Sequence, residues 1–213
     1  MVDNYLQDFN LVTRNEKTGT TYMGSFFEGL FVIKDDGSVK QYKNDVFAPS
    51  AAWGELGRQL MGLAIDNNDN LWAAAVFSNP QLYAMTPEGA WTSFSVPNIQ
   101  YGGPIAIDDY GQIWFVGSLG GGVAVYNTNG TVTDKTDDYS YHLSTGQGAG
   151  NLPSNVVNCL AKDKNNNIWI GTENGIGIVS NCTAPFDQTP PCDADRPIVQ
   201  YDKFAGYLFE SNN

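Results

Sequence analysis

The sequence predicts an all-β chain of repeated four-stranded antiparallel sheets. Two observations carry that prediction: an aromatic-opened strand that recurs down the chain, and a second hairpin that follows it in most copies. The aromatic strand reads Tyr22-Met-Gly-Ser, Trp72-Ala-Ala-Ala, Trp114-Phe-Val-Gly and Trp169-Ile-Gly-Thr, at spacings of 50, 42 and 55 residues. An acidic residue stands six positions before each aromatic, at Glu16, Asp66, Asp108 and Asp163. Four strands in each such interval is the arithmetic of a β-propeller blade.

Three copies of the first hairpin are clear: Leu63 to Trp72, Ile105 to Trp114 and Leu160 to Trp169. Each is a β-rich run, an Asp/Asn/Gly turn and a second β-rich run. Asn and Gly tolerate the positive φ of tight turns, and Asp accepts hydrogen bonds from backbone two residues on. The second hairpins follow at Gly29 to Tyr42, at Gln81 to Phe94 and at Gly122 to Thr133, turning at Lys-Asp-Asp-Gly, Thr-Pro-Glu-Gly and Asn-Thr-Asn-Gly. The predicted blades cover about 5–58, 59–100, 101–150 and 151–195 of one propeller domain, with a further blade starting at 196–213. No stretch keeps a 3.6-residue period over ten residues, and only Glu55 to Gly62 is ambiguous. The segments 134–151 and 183–197 read as strand-poor loops, the places where binding residues concentrate.

The chain has 213 residues, 42% hydrophobic and only 16% charged, and a net charge of −12. That field repels phosphate backbones and anionic bilayers, so no nucleic-acid partner is expected. The longest uncharged apolar stretch, Leu71 to Phe77, is too short to span a bilayer, and the N-terminus shows neither part of a signal peptide. Direct membrane insertion is not expected.

The run from Asn151 through Leu-Pro-Ser-Asn, Asp163, Trp169-Ile-Gly-Thr and Gly175-Ile-Gly-Ile resembles the two-component regulator propeller repeat family of Bacteroidetes. The tail, from Asn181-Cys182 to Gly206-Tyr-Leu-Phe-Glu, looks more specifically like the PorZ-type propellers of the type IX secretion system. The first copy departs from the repeat, with Tyr22 for Trp and Glu16 for Asp. The resemblance implies a ring of more than four blades, of which this chain is a fragment unless it is a short member that pairs through its open edges, a periplasmic or cell-surface location, and a role in secretion or in sensing. Of the three cysteines, Cys159 reads as a small core residue. Cys182 and Cys192 fit either a disulfide or two unpaired loop thiols, and the extracytoplasmic location implied by the resemblance favours the disulfide.

Asp66, Asn68 and Asn70, like Asp163, Asn165 and Asn167, place oxygens as a calcium loop does at positions 1, 3 and 5, but position 12 is Phe77 or Asn174 where a bidentate Glu is needed. They read as hairpin turns, and no metal is expected. Ile107 to Trp114 keeps Asp109, Gly111 and Trp114 of the Asp-box of sialidases, itself a structural turn. His142 is the only histidine and stands in a predicted loop, too little for a catalytic triad. Asp35-Asp36 and Asp137-Asp138 read as solvated turn residues, and no phosphate-binding or dinucleotide motif occurs. No cofactor is expected.

Trp72, Trp114 and Trp169 share one blade position, which predicts packing between sheets. Tyr101, Tyr110, Tyr139 and Tyr141 fall in turns or loops and, with His142, are the candidate ligand-binding residues. Two functions remain: a non-catalytic propeller binding a protein or glycan partner, and a propeller enzyme acting on polysaccharide as a lyase or hydrolase. One His and few Arg supply little for a catalytic cluster, which favours binding. Open blade edges, around Phe26, Phe27, Leu30 and Phe31 at one end and Ile168, Ile170 and Ile176 at the other, predict self-association.

Overall fold

A computed structural model describes residues 8–49, 59–186, 192–201 and 204–207. Among the described residues every regular element is a strand, so the all-β expectation is met. The chain divides into two compact units, Met1–Ser95 with Gln100–Ile105, and Val96–Ile99 with Ala106–Asn213.

In the first unit, β1 (Phe9–Arg14), β2 (Thr21–Ser25), β3 (Gly29–Ile33) and β4 (Val39–Tyr42) form one antiparallel sheet in chain order. A second sheet follows in the same order from β5 (Leu60–Ile65), β6 (Leu71–Ala75), β7 (Leu82–Met85) and β8 (Trp91–Phe94). The two bury one core. Tyr22, Leu30, Val32 and Tyr42 of the first sheet meet Leu60, Leu71, Ala73, Ala75, Tyr83 and Met85 of the second, with Phe47 wedged against the Tyr83 and Trp91 rings. A bulge between Leu60 and Gly62 bends β5, and a Cβ on Gly62 would stand 2.4 Å from the Gly103 carbonyl oxygen, so only glycine fits there.

In the second unit, β9 (Gly102–Ile107, whose first residues belong to the first unit), β10 (Ile113–Gly117), β11 (Val123–Asn127) and β12 (Tyr139–Leu143) make the third sheet. The fourth sheet holds three strands, β13 (Val157–Lys162), β14 (Ile168–Thr172) and β15 (Gly175–Val179). Where a fourth strand was expected, an isolated bridge pairs Ile178 with Asp195 through two backbone hydrogen bonds of 2.8 Å. A hairpin of β16 (Ile198–Tyr201) and β17 (Phe204–Tyr207) ends the described chain. Trp114, Val116, Val123 and Val125 pack on Ile168, Ile170 and Val179, and Cys182, Cys192 and Ala194 close the same core. Cys182 and Cys192 are joined by a disulfide.

The Asp-to-Trp spacing has a direct physical cause. In the turn before β6, Asp66 Oδ1 accepts from the Asn68 and Asn70 amides at 2.9 Å, while Oδ2 accepts from the Asn70 side chain and, at 2.9 Å, from the Trp72 indole. Asp108 repeats the pattern with Tyr110, Gln112 and Trp114, and Asp163 with Asn165, Asn167 and Trp169. Each carboxylate thereby caps its turn and fixes the ring that opens the next strand. These oxygens are occupied by N–H donors, the arrangement of a turn. In the first copy the turn is one residue longer, and Asn15, not Glu16, takes the carboxylate's place: its Oδ1 accepts from the Lys17 and Thr18 amides, while Glu16 is exposed.

The outer strand of the third sheet is Tyr139–Leu143, not the run to Thr133, because Tyr-Ser-Tyr-His-Leu alternates toward a fully buried Leu143 whereas Asp134 to Asp138 interrupt the chain with charge. The segment 134–151 is therefore not strand-poor. Trp169 is not between sheets but 38% exposed, whereas Trp114, in the same register, is covered by the fourth sheet. Cys159, on the same side of its sheet, is exposed rather than core. Leu30, Phe31, Ile168 and Ile170 are buried, and the open apolar side chains are Val12 and Val39 in the first sheet and Trp169 in the fourth. Of the helix-ambiguous stretch, residues 55–58 lie outside the described residues, and Leu60 to Gly62 belong to β5.

Candidate binding groove

The five candidate ligand residues do not form one site. Tyr101 lies in the first unit, half-buried with its ring 4.9 Å from that of Phe77. The other four lie in the second unit. Tyr110 tops the Asp108 turn and is exposed. Tyr139, Tyr141 and His142 sit on β12, not in a loop, and alternation puts both tyrosines on one face and the histidine on the other. Tyr141 donates its hydroxyl to the Gly148 carbonyl at 3.2 Å and lies 5.8 Å from the Phe186 ring, and burial pushes its phenol above the usual value. His142 Nε2 is 2.7 Å from the Gly121 carbonyl oxygen, so the ring ties β12 to the glycine turn beside it. Tyr141 and His142 are thus engaged in holding the fold, whereas Tyr110 and Tyr139 are exposed.

Asp137 and Asp138 are not solvated turn residues. The Tyr126 hydroxyl donates to Asp138 across a short contact, and Asn129 Nδ2 donates to Asp137 at 2.9 Å. Burial, then the hydrogen bond to Asp138, raises the Tyr126 phenol far above its usual value, and burial raises Asp138. A phenol held protonated in this way is a tether rather than a base.

A concave site lies in the first unit, a groove of about 460 Å³ beside β4. Register builds it. Tyr22, Val32 and Lys40 are cross-strand neighbours over β2, β3 and β4, and Lys34 and Tyr42 lie two residues along on the same face. The turn from β7 to β8, with Pro87, Glu88 and Gly89, forms the opposite wall. Gly89 holds φ at +88° and closes that turn through a 2.8 Å bond to the Thr86 carbonyl. Tyr22, Val32, Tyr42 and Met85 make a buried floor, and the Tyr42 and Trp91 rings meet edge to face at 5.3 Å beneath it. Burial, with Asp69 and Tyr42 adding to it, lifts the Tyr22 phenol above its usual value.

Lysines set the electrostatics of the groove. Arg14, Lys17, Lys43 and Lys162 each pair with a carboxylate, whereas no ion pair among the described residues engages Lys34 or Lys40. Lys40 Nζ sits 4.4 Å above the Tyr42 ring. Asp36, next to Lys34, is held below the usual carboxylate range first by its hydrogen bonds to Ser38. Glu88 is the one acidic side chain in the lining, against two lysines, on a chain of net charge −12. Nothing in it pairs a nucleophile with a base. Its lining comes from residues 20–42 and 85–89, too far apart in sequence for any spacing motif to join them.

Comparison with known proteins agrees with the fold. Residues 151–174 match the family model described as two component regulator propeller, the stretch where the repeat is clearest. No curated protein matches the sequence. Among solved structures, PorZ of Porphyromonas gingivalis, described as an essential bacterial surface component of the type-IX secretion system, aligns at TM-score 0.78 and 22% identity over 95% of this chain and 29% of its own. Virginiamycin B lyase from Staphylococcus aureus aligns at 0.63 and 16%, over 97% of this chain and 64% of its own. The extracellular domain assigned to a hybrid two component system of B. thetaiotaomicron aligns at 0.62 and 17%, over 93% of this chain and 25% of its own. This chain therefore has a β-propeller fold and spans less than two thirds of each of these proteins. No helix of the described residues is long and apolar enough to cross a membrane.

Proposed function

We propose that this chain is part of an extracytoplasmic β-propeller that works by binding a protein or glycan partner, not by catalysis, in a PorZ-like secretion assembly or in the sensor region of a two-component regulator. The observation that carries this reading is the groove beside β4, whose aromatic floor and unpaired lysines supply recognition chemistry without a nucleophile or an acid–base pair. The likeness to a surface component and to an extracellular sensor domain supports the location. The lyase neighbour keeps an enzyme in view, and a single experiment separates the two. The chain is offered a panel of polysaccharides and surface proteins, with binding read by calorimetry and turnover read as new reducing ends or unsaturated products. Saturable binding with no product supports the reading, and product formation overturns it.

A further inference from the structure

Among the described residues β4 is the outer strand of its sheet, with β3 on one side and no strand on the other. The pairing pattern says which of its backbone groups are free. Lys34 N–H donates to the Ser38 carbonyl, making that opposed pair a hydrogen-bonded one. By the alternation of an antiparallel ladder, Lys40 opposite Val32 and Tyr42 opposite Leu30 are also hydrogen-bonded inward, which turns the N–H and C=O of Val39 and Gln41 to the open edge. Exposed edges of this kind are templates for an added strand.

Side chains on the edge differ by face. Toward the groove stand Lys40, over the Tyr42 ring, and Lys34, whose charge also acts on Asp36; Val39, 60% exposed at the edge of the groove, alternates to the other face of β4. The geometry points to an extended peptide segment of a partner protein that adds a strand to β4, its acidic side chains alternating with apolar ones. The acidic side chains enter the groove beside Lys40 and Lys34, and an apolar one lies opposite Val39. Strand addition supplies affinity through the main chain, and the alternate pockets supply selectivity. Cross-strand partners of opposite charge and of apolar type are the favourable ones, and like charges oppose pairing. Most of this molecule repels an acidic segment, so the Lys40 and Lys34 ammonium groups also fix where it docks. Glu88 bounds the site by disfavouring acid on the far wall.

This inference rests on the groove being a binding site and narrows its occupant. The probe is a capped peptide of about eight residues alternating Glu and Val, a usual strand length, with an alternating Lys–Val peptide and free glucuronate as comparisons. Binding is read by fluorescence polarisation and by hydrogen exchange at the Val39 and Gln41 amides. Glu–Val binding with slowed exchange at both amides is expected, with a loss of about tenfold or more in the Lys34→Glu/Lys40→Glu variant. That variant, whose changed side chains are exposed, gains the Lys–Val peptide in exchange. No binding, or binding without protection of the two amides, overturns the proposal. Equal competition by glucuronate makes the groove a small-carboxylate site and overturns it as well. If the polysaccharide and surface-protein panel still binds, only the peptide site falls, whereas product release in that panel overturns the binding function and leaves the peptide result standing.

Discussion

Removing the Asp108 carboxylate tests whether the turn chemistry holds the sheets together. Asp108 is 3% exposed and accepts from the Tyr110 amide at 3.0 Å, the Gln112 amide at 2.9 Å, Gln112 Nε2 at 2.6 Å and the Trp114 indole at 2.8 Å. In Asp108→Ala the donors do not suffer equally. Gln112 Nε2 keeps its 2.7 Å bond to the Cys182 carbonyl, and the Tyr110 amide is near solvent. The Gln112 amide and the Trp114 indole are left buried and unpaired, at about 1–3 kcal/mol each, so a loss of roughly 4 kcal/mol is expected. Asp108→Asn keeps one acceptor for the backbone amides and turns its NH₂ toward the indole, so about half of that loss remains. Both would register strongly against a stability of about 5–15 kcal/mol. Urea unfolding followed by tryptophan fluorescence reads them. A change within about 0.5 kcal/mol for the alanine variant would refute the reasoning, since two buried donors cannot be abandoned so cheaply.

Trp114→Ala should cost about 3–5 kcal/mol by the same assay and Trp169→Ala less than half of that, because only the first ring is enclosed; equal costs would contradict the packing described. Cys182→Ser/Cys192→Ser opens a loop of sequence separation 10 and should lose roughly 2–3 kcal/mol. Hydrogen exchange should quicken at the Gly148 and Gly150 amides, which donate to Asp193 beside that disulfide. The Trp169 indole first, then Asn167, holds Asp163 well below the usual carboxylate range, so its contribution is present above that range and fades as pH falls through it. Unfolding midpoints taken from roughly pH 6 down to pH 2 should therefore fall less steeply for Asp163→Asn than for the parent chain.

What the sequence disclosed was whatever one hairpin decides for itself. Alternation, turn residues and the Asp-to-Trp interval all act within a few positions, so β2, β6, β10 and β14 were legible with the turns before them. Features that need a distant partner were not. Thr131 to Thr133 has strand propensity, but the outer strand of the third sheet is chosen by which segment can bury Leu143 against the core beneath it. Trp169 carries the same local pattern as Trp114, yet burial depends on the sheet laid over it. The tyrosines drew notice because loop aromatics are common in binding sites, whereas two of the four are held by nearby contacts, Tyr101 by Phe77 and Tyr141 by Gly148. The groove stayed hidden because its walls come from two sheets.

The carboxylate that clasps each indole lies six residues before it, so the clasp closes inside a single hairpin. Such a unit carries its own fastening wherever it is copied. Adding a sheet to the series leaves every existing turn untouched and asks for one new match only, between the aromatic face of the last sheet and the aliphatic face of the newcomer. Architecture of this kind lengthens by duplication without redesign, and divergence is free to gather on the outer strands and the segments between sheets, where β12 has already moved several residues from the position its turn suggests.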